Sequence, residues 1–353
     1  MMPKSNDYWQ NRFIELEKSL NKYGVNSNDL IIITFINAQK EIQKEIDSWF
    51  IRVAENNKVS ISDAKKLLKG DELKEFKWDV KEFIKYGEEN DINPIWMKEL
   101  ENASARYNIS RLDALKIRTK QVLEKSFGTE LGEVNKMAKE VYTEAYYRNA
   151  YELQKGFNTA WDIGQIDERK LEKILSKPWA ADGKDFSSRI WQSKTTMVNE
   201  LHNELTRTCI LGKAPDDAIN TMSKFVNTKF KNAKSQAGNL VMTEQAYFSS
   251  AAQKDVFDDL DVEQYEIVAT LDSHTSEICQ NLDGEVFEMK NYDIGVTAPP
   301  FHPRCRTTTA PYFDDEFDLG ERAARNDDAG KTYYVPSNIK YKEWKEKYVD
   351  GIV

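Results

Sequence analysis

The chain has 353 residues, of which 40% are hydrophobic and 31% charged, with 16 Tyr, 16 Phe and 8 Trp; this excludes a disordered polymer and leaves room for two domains or one extended helical body. A formal net charge of -9 and a pI near 5.2 exclude a protein that coats DNA as a polycation. No apolar run approaches the ~20 residues that span a bilayer, and the opening MMPKSNDYWQNRF lacks the apolar core of a secretory signal. No membrane contact is expected, and synthesis in the cytoplasm is.

From about Tyr8 to Phe248 the pattern is helical. Ile31, Phe35, Ala38, Ile42, Ile46, Trp49 and Val53 form one apolar stripe, about seven turns long at 3.6 residues per turn. Ser60, three residues before Asp63, reads as an N-terminal cap, and Gly70 as the stop of the helix that follows. Ser110 and Asp113 announce another helix. Val134, Met137, Val141 and Ala145 mark a further one, with Gly128 as the break before it. Pro178, Asp182 and Gly183 punctuate the chain ahead of a helix from about Ser187 to Leu211, and Pro215 with Asp216 and Asp217 opens the next. On that last helix Lys224, Lys229, Lys231 and Lys234 lie in a stretch without acids from Ala218 to Thr243. They form either a contact for nucleic acid or an acidic partner, or a solvated helix face.

At about Val262 the period changes. Tyr265, Ile267, Ala269 and Leu271 alternate with Glu266, Val268, Thr270 and Asp272 as in a strand. A helical turn from Thr275 to Asn281, a turn at Asp283-Gly284 and a second strand from Glu285 to Met289 follow. Prolines 299, 300, 303 and 311 then read as rigid, irregular backbone. The expected fold is mainly α: an elongated helical body over residues 1–250, a small α+β module over 251–313 and a C-terminal docking tail over 314–353. The tail carries the acidic run Asp314, Asp315, Glu316 and Asp318 and the anchors Tyr333, Tyr334, Val335, Tyr341 and Trp344.

Three cysteines leave one unpaired under any disulfide scheme, so reduced thiols are expected. Cys209 continues the apolar set Met197, Leu201 and Leu205 and reads as a buried small hydrophobe; His202, on the same helix, reads as a packing residue. Cys279, His302 and Cys305 form a C-x22-H-x2-C array with the donor types that zinc takes in tetrahedral geometry, and His274 or Asp272 stands near enough in sequence to be a fourth ligand. The alternative is a metal-free fold in which these residues pack and hydrogen-bond. No other cofactor is expected.

The order T-L-D-S-x-T-S-x-x-C-x-x-L-D-G-x-x-F followed by P-P-x-H-P-x-C-R-x-T-T, from Thr270 to Thr309, resembles the head-morphogenesis domain of tailed-phage minor capsid proteins, the Mu F-like family. Leu240-Val241-Met242-Thr243-Glu244 resembles that family's helix with a Thr-Glu pair, and YWQNRFIELEK and ARNDDAGKTYYVPSNIKYKEW are reminiscent of members from phages of Gram-positive hosts. The chain departs from many members at His274 and Met242, where they carry Arg, and at Thr307, where they carry Cys. The resemblance implies a minor head protein present in few copies, incorporated during procapsid assembly near the portal vertex. Its partners would be portal protein and major capsid or scaffolding protein, with weak DNA contact and a part in DNA packaging or ejection. Within the motif, Asp272, Thr275, Asp283, Gly284, Pro300 and Arg306 are expected to shape the fold: Thr275 at the helix start, Gly284 in the turn, Arg306 paired with an acid such as Asp272. No catalytic residue is expected, because neither an H-E-x-x-H helix nor a glycine-rich phosphate loop is present. The alternatives are a zinc-dependent nuclease or hydrolase using His302 and Asp272, and a toxin-associated head protein.

Overall fold

The computed structural model describes residues 4–54, 57–90, 94–105, 108–158, 165–313, 321–326 and 331–336, the last two stretches as backbone. The fold is mainly α, with a small sheet toward the C-terminus. Its helices are α1 (Asn6–Val53), α2 (Ile61–Ala64), α3 (Gly70–Glu89), α4 (Pro94–Ala105), α5 (Arg111–Phe157), α6 (Glu168–Leu175), α7 (Phe186–Leu211), α8 (Pro215–Asp259) and α9 (Glu277–Leu282). The strands are β1 (Gln264–Val268), β2 (Val286–Glu288), β3 (Thr308–Tyr312), β4 (Glu321–Asn326) and β5 (Lys331–Pro336). Among the described residues, no helix is long and apolar enough to cross a membrane. The chain clusters into two units: residues 1–28, 134–186 and 238–353 form one, and residues 29–133 and 187–237 the other.

In the second of these units, the apolar stripe of α1 packs Phe35 against Phe127 of α5 and Phe230 of α8, with ring centroids 5.1 and 6.3 Å apart. Burying one such side chain contributes about 1.5–3 kcal/mol. Helix α7 runs antiparallel to α5, as two contacts show: Lys194 meets Glu124 at 2.6 Å, and His202 Nε2 lies 3.0 Å from the Lys116 carbonyl. Burial pushes His202 down to about 4 and Cys209 up to about 11; Cys209 is fully buried, as expected.

Two glycines do not act as the sequence suggested. Gly70 opens α3 instead of ending a helix: α2 is a single turn, and the chain leaves it to pair with the start of α5, Leu68 N donating to Ile109 O and Arg111 N to Lys66 O at 2.9 Å each. At φ +52°, Gly70 then turns the chain into α3. Gly128 does not interrupt α5, which is continuous for 47 residues. A mid-helix glycine costs only about 1 kcal/mol relative to alanine, and the buried positions Leu123, Phe127, Val134, Met137 and Val141 carry the helix across it. The caps behave locally as read: Ser60 Oγ accepts from Asp63 N and Ser110 Oγ from Asp113 N, both at 3.1 Å. Helix α1 begins far upstream of the stripe; buried Gly24 and Ser27 interrupt its apolar pattern and hide the continuity.

In the other unit, α1 runs antiparallel to both α5 and α8. Arg12 pairs with Glu152 of α5, while Glu17 accepts from Gln245 (3.2 Å) and Ser249 (2.9 Å) of α8. Helices α5 and α8 are parallel here, joined by two rungs one helical turn apart, Tyr142 to Asp255 and Tyr146 to Asp259. Trp9 packs on Phe157 and Phe313 at 5.3 and 5.7 Å and covers Gly156, where a Cβ would collide with the indole. Asn6 holds the Phe313 backbone from both sides, donating to its carbonyl (2.9 Å) and accepting from its N–H (3.1 Å).

Strand β1 is the centre of an antiparallel sheet of order β2-β1-β3, with Tyr265 opposite Phe287 on one side and Pro311 on the other. Pro311 therefore lies in a strand and not in irregular backbone. β3 is an edge of this sheet, where a residue without an N–H is tolerated. β4 and β5 pair as an antiparallel ladder from Glu321–Pro336 to Asn326–Lys331. The acidic run Asp314, Asp315, Glu316 and Asp318, and Tyr341 and Trp344, lie outside the described residues; Tyr333, Tyr334 and Val335 fall on β5.

Candidate functional site

The motif residues converge around the end of β1. Asp272, fully buried, accepts from Arg306 Nη2 at 2.7 Å while Arg306 Nη1 lies 2.5 Å from its other oxygen, a two-point charge-assisted pair. The same carboxylate accepts from His274 N (3.0 Å) and Thr275 Oγ1 (3.1 Å). Asp272 is thus consumed in holding the loop. Thr275 also donates to the Thr270 carbonyl, and Thr270 Oγ1 donates to Arg306 O at 2.9 Å. The cap of α9 is Ser276, whose Oγ accepts from Cys279 N at 3.3 Å; Thr275, expected at the helix start, stands one residue earlier and braces the preceding loop.

After α9, buried Asp283 accepts from Ala269 N at 2.9 Å, and Gly284 at φ +72° donates its N–H to Ile267 O at 2.8 Å. Only a residue without a Cβ takes that backbone cheaply. The Pro299-Pro300 bond is cis, and both rings are buried.

Cys279, His302 and Cys305 come together, with one donor atom from each lying within 4.8 Å of the others. Cys279 Sγ is 3.2 Å from His302 Nε2 and 3.7 Å from Cys305 Sγ. The hydrogen bond from Cys279, then that from His302, hold the Cys305 thiol well below its ordinary range, while Cys279 is pushed up by sharing that bond and by burial. His274 is not part of this cluster, and Asp272 is engaged by Arg306. Both sulfurs are buried beside Ala269 and Phe301.

His302 and Cys305 are the ends of one tight turn, Cys305 N donating to His302 O at 3.2 Å, with Pro303 second and Arg304 third at φ +60°. That third position normally goes to Gly or Asn. Arg304 is held there by α8: its backbone N–H donates to Thr243 Oγ1 (3.1 Å) and its Nε to Asn239 Oδ1 (2.6 Å). Sequence reasoning missed Arg304; the available signal was Pro303 followed by a non-glycine at the left-handed position of a turn. Glu244, next to Thr243, accepts from Trp179 Nε1 at 3.1 Å, so both members of the Thr-Glu pair are used within the fold.

The four lysines of α8 separate. Lys229 pairs with Glu200 at 2.8 Å, whereas Lys224, Lys231 and Lys234 share another side of the helix by their spacing, with Lys224 and Lys231 exposed.

No curated protein and no solved structure gives a significant match to the chain. Residues 199–310, from within α7 to within β3, match the family described as Phage Mu protein F like protein. The segment contains every residue of the Asp272 and Cys279 clusters, and over it the match supports the Mu F-like resemblance, a family that suggests a phage head-morphogenesis protein.

Proposed function

We propose that the chain is a minor capsid protein, incorporated in few copies near the portal during procapsid assembly, where it assists DNA packaging or ejection. Its partners would be portal protein and the major capsid or scaffolding protein, and its place the virion interior after assembly in the host cytoplasm. The observation that carries this reading is how the motif spends its polar groups. Asp272, Thr275, Asp283 and Arg306 are engaged with one another and with the backbone of β1 and its flanking loops. Such an arrangement holds a surface in shape and leaves no carboxylate of the motif poised as a general base. The same reading gives Lys224, Lys231 and Lys234 a weak, sequence-independent contact with packaged DNA.

The test is composition of assembly intermediates. Procapsids purified from infected cells should contain the chain at a small fraction of the major capsid protein and retain it when portal is present. Particles lacking portal should contain much less. Its absence from procapsids and virions alike would end the proposal.

A further inference from the structure

We propose that Cys279 Sγ, Cys305 Sγ and His302 Nε2 bind a zinc ion whose fourth position is open to water, and that the ion pins α9 to the His302–Cys305 turn. The inference is independent of where the protein sits in a particle.

Three observations converge. First, the donor atoms are spaced for it: with Zn–S bonds of about 2.3 Å and a Zn–N bond of about 2.0 Å, a tetrahedral ion separates two sulfurs by about 3.8 Å and sulfur from nitrogen by about 3.5 Å. The separations here are 3.7 Å between the sulfurs and 3.2 Å from Cys279 Sγ to Nε2. Two thiolates and an imidazole are a set for zinc and not for the oxygen-seeking magnesium or calcium.

Second, His302 is oriented as a metal ligand is. Its Nδ1 lies 2.9 Å from the Pro303 carbonyl, which can only accept, so Nδ1 keeps its proton, while Nε2, turned toward the sulfurs, gives up its own when a metal binds there. Third, the donors are held from outside the cluster. Ser276 caps the helix that carries Cys279, and the turn carrying the other two donors keeps Arg304 at positive φ, a conformation uncommon for a residue with a side chain, through Asn239 and Thr243. His302 is half-exposed, which gives an ion a way in. Among the described residues no fourth Cys, His, Asp or Glu joins the cluster.

The full chain, purified under reducing conditions without chelator, should carry about one zinc per molecule. Cobalt(II) put in its place should show tetrahedral absorption with sulfur-to-metal charge transfer. Cys305→Ser and His302→Ala should lose the metal, while Cys209→Ser, altering a cysteine elsewhere, should keep it. Should the first two variants misfold, the wild-type protein suffices: stripping it with a strong chelator should expose Cys279 and Cys305 to thiol reagents, and added zinc should protect them again. Wild-type protein that retains no zinc after loading, zinc that persists in Cys305→Ser, or a Cys279–Cys305 disulfide in place of metal would each overturn the proposal.

Discussion

The side-chain amide of Gln253 on α8 closes a two-point ring on Thr309 of β3, donating to its carbonyl at 2.8 Å and accepting from its hydroxyl at 2.7 Å, both residues being buried. This ring ties the sheet to α8. Gln253→Ala leaves the Thr309 hydroxyl with Tyr292 Oη at 3.2 Å and its carbonyl with only the long contact to Thr308 Oγ1 at 3.4 Å, and should cost about 1–3 kcal/mol. In a double-mutant cycle with Thr309→Val, the coupling should be at least about 0.5 kcal/mol. Urea denaturation measures both; additive effects would show that the ring contributes nothing as a unit.

Gly156 and Gly128 lie in the same helix and should answer alanine in opposite directions. At Gly156 a Cβ runs into the Trp9 indole, so Gly156→Ala should destabilise by about 1–3 kcal/mol. At Gly128 nothing lies within 4 Å of the added atom, and Gly128→Ala should stabilise by up to about 1 kcal/mol from helix propensity. Thermal unfolding of the two variants side by side provides the check.

Glu130, buried in α5, has its carboxyl pushed from 4.5 up to about 8 by desolvation, and no donor among the described residues reaches its Oε2. The native state therefore holds a proton that the unfolded chain releases above about 4.5. Stability from this group is complete below that pH and is lost as pH rises toward about 8. Glu130→Gln keeps the site neutral throughout, so its melting temperature relative to wild type should climb between pH 5 and 8 and then level off. A difference that stays flat across that range would mean the carboxyl is not protonated in the native state.

For the lysine face of α8, affinity for duplex DNA should fall with salt. Each phosphate neutralised adds about -0.9 to the slope of log K against log salt, so three lysines give at most about -2.7. Replacing Lys224, Lys231 and Lys234 by Gln should flatten the slope, whereas Lys229→Gln should change it little because that residue pairs with Glu200. A slope near zero in the wild type dismisses the contact.

Local signals were legible in the sequence and contacts across the chain were not. The Ile31 to Val53 stripe, the caps at Ser60 and Ser110 and the opening of α8 at Pro215 depend on neighbours within a turn or two. Gly70 and Gly128 were misread because packing, not propensity, decides whether a glycine ends a helix. The short α6, which precedes Pro178, went unread although Asp167 caps it and Leu171, Ile174 and Leu175 recur at helical spacing. In the site, the clustering of Cys279, His302 and Cys305 followed from donor type and spacing. The anchors Asn239, Thr243 and Gln253 did not, because each meets its partner 56 to 65 residues away and an isolated polar residue on a long helix gives no hint of what it faces.

The clasp of Asn6 on Phe313 spans 307 residues, and it bears on the order in which the chain matures on the ribosome. The unit made of residues 29–133 and 187–237 has all its parts once Ala237 has emerged. The first turns of α1 must wait for β3 and Phe313 before Asn6 finds its partner and Trp9, already able to meet Phe157, the last of its own. Until then the aromatic surface of Trp9 and Phe157 lacks its cover by Phe313, which leaves the nascent chain open to aggregation and proteolysis until β3 has emerged.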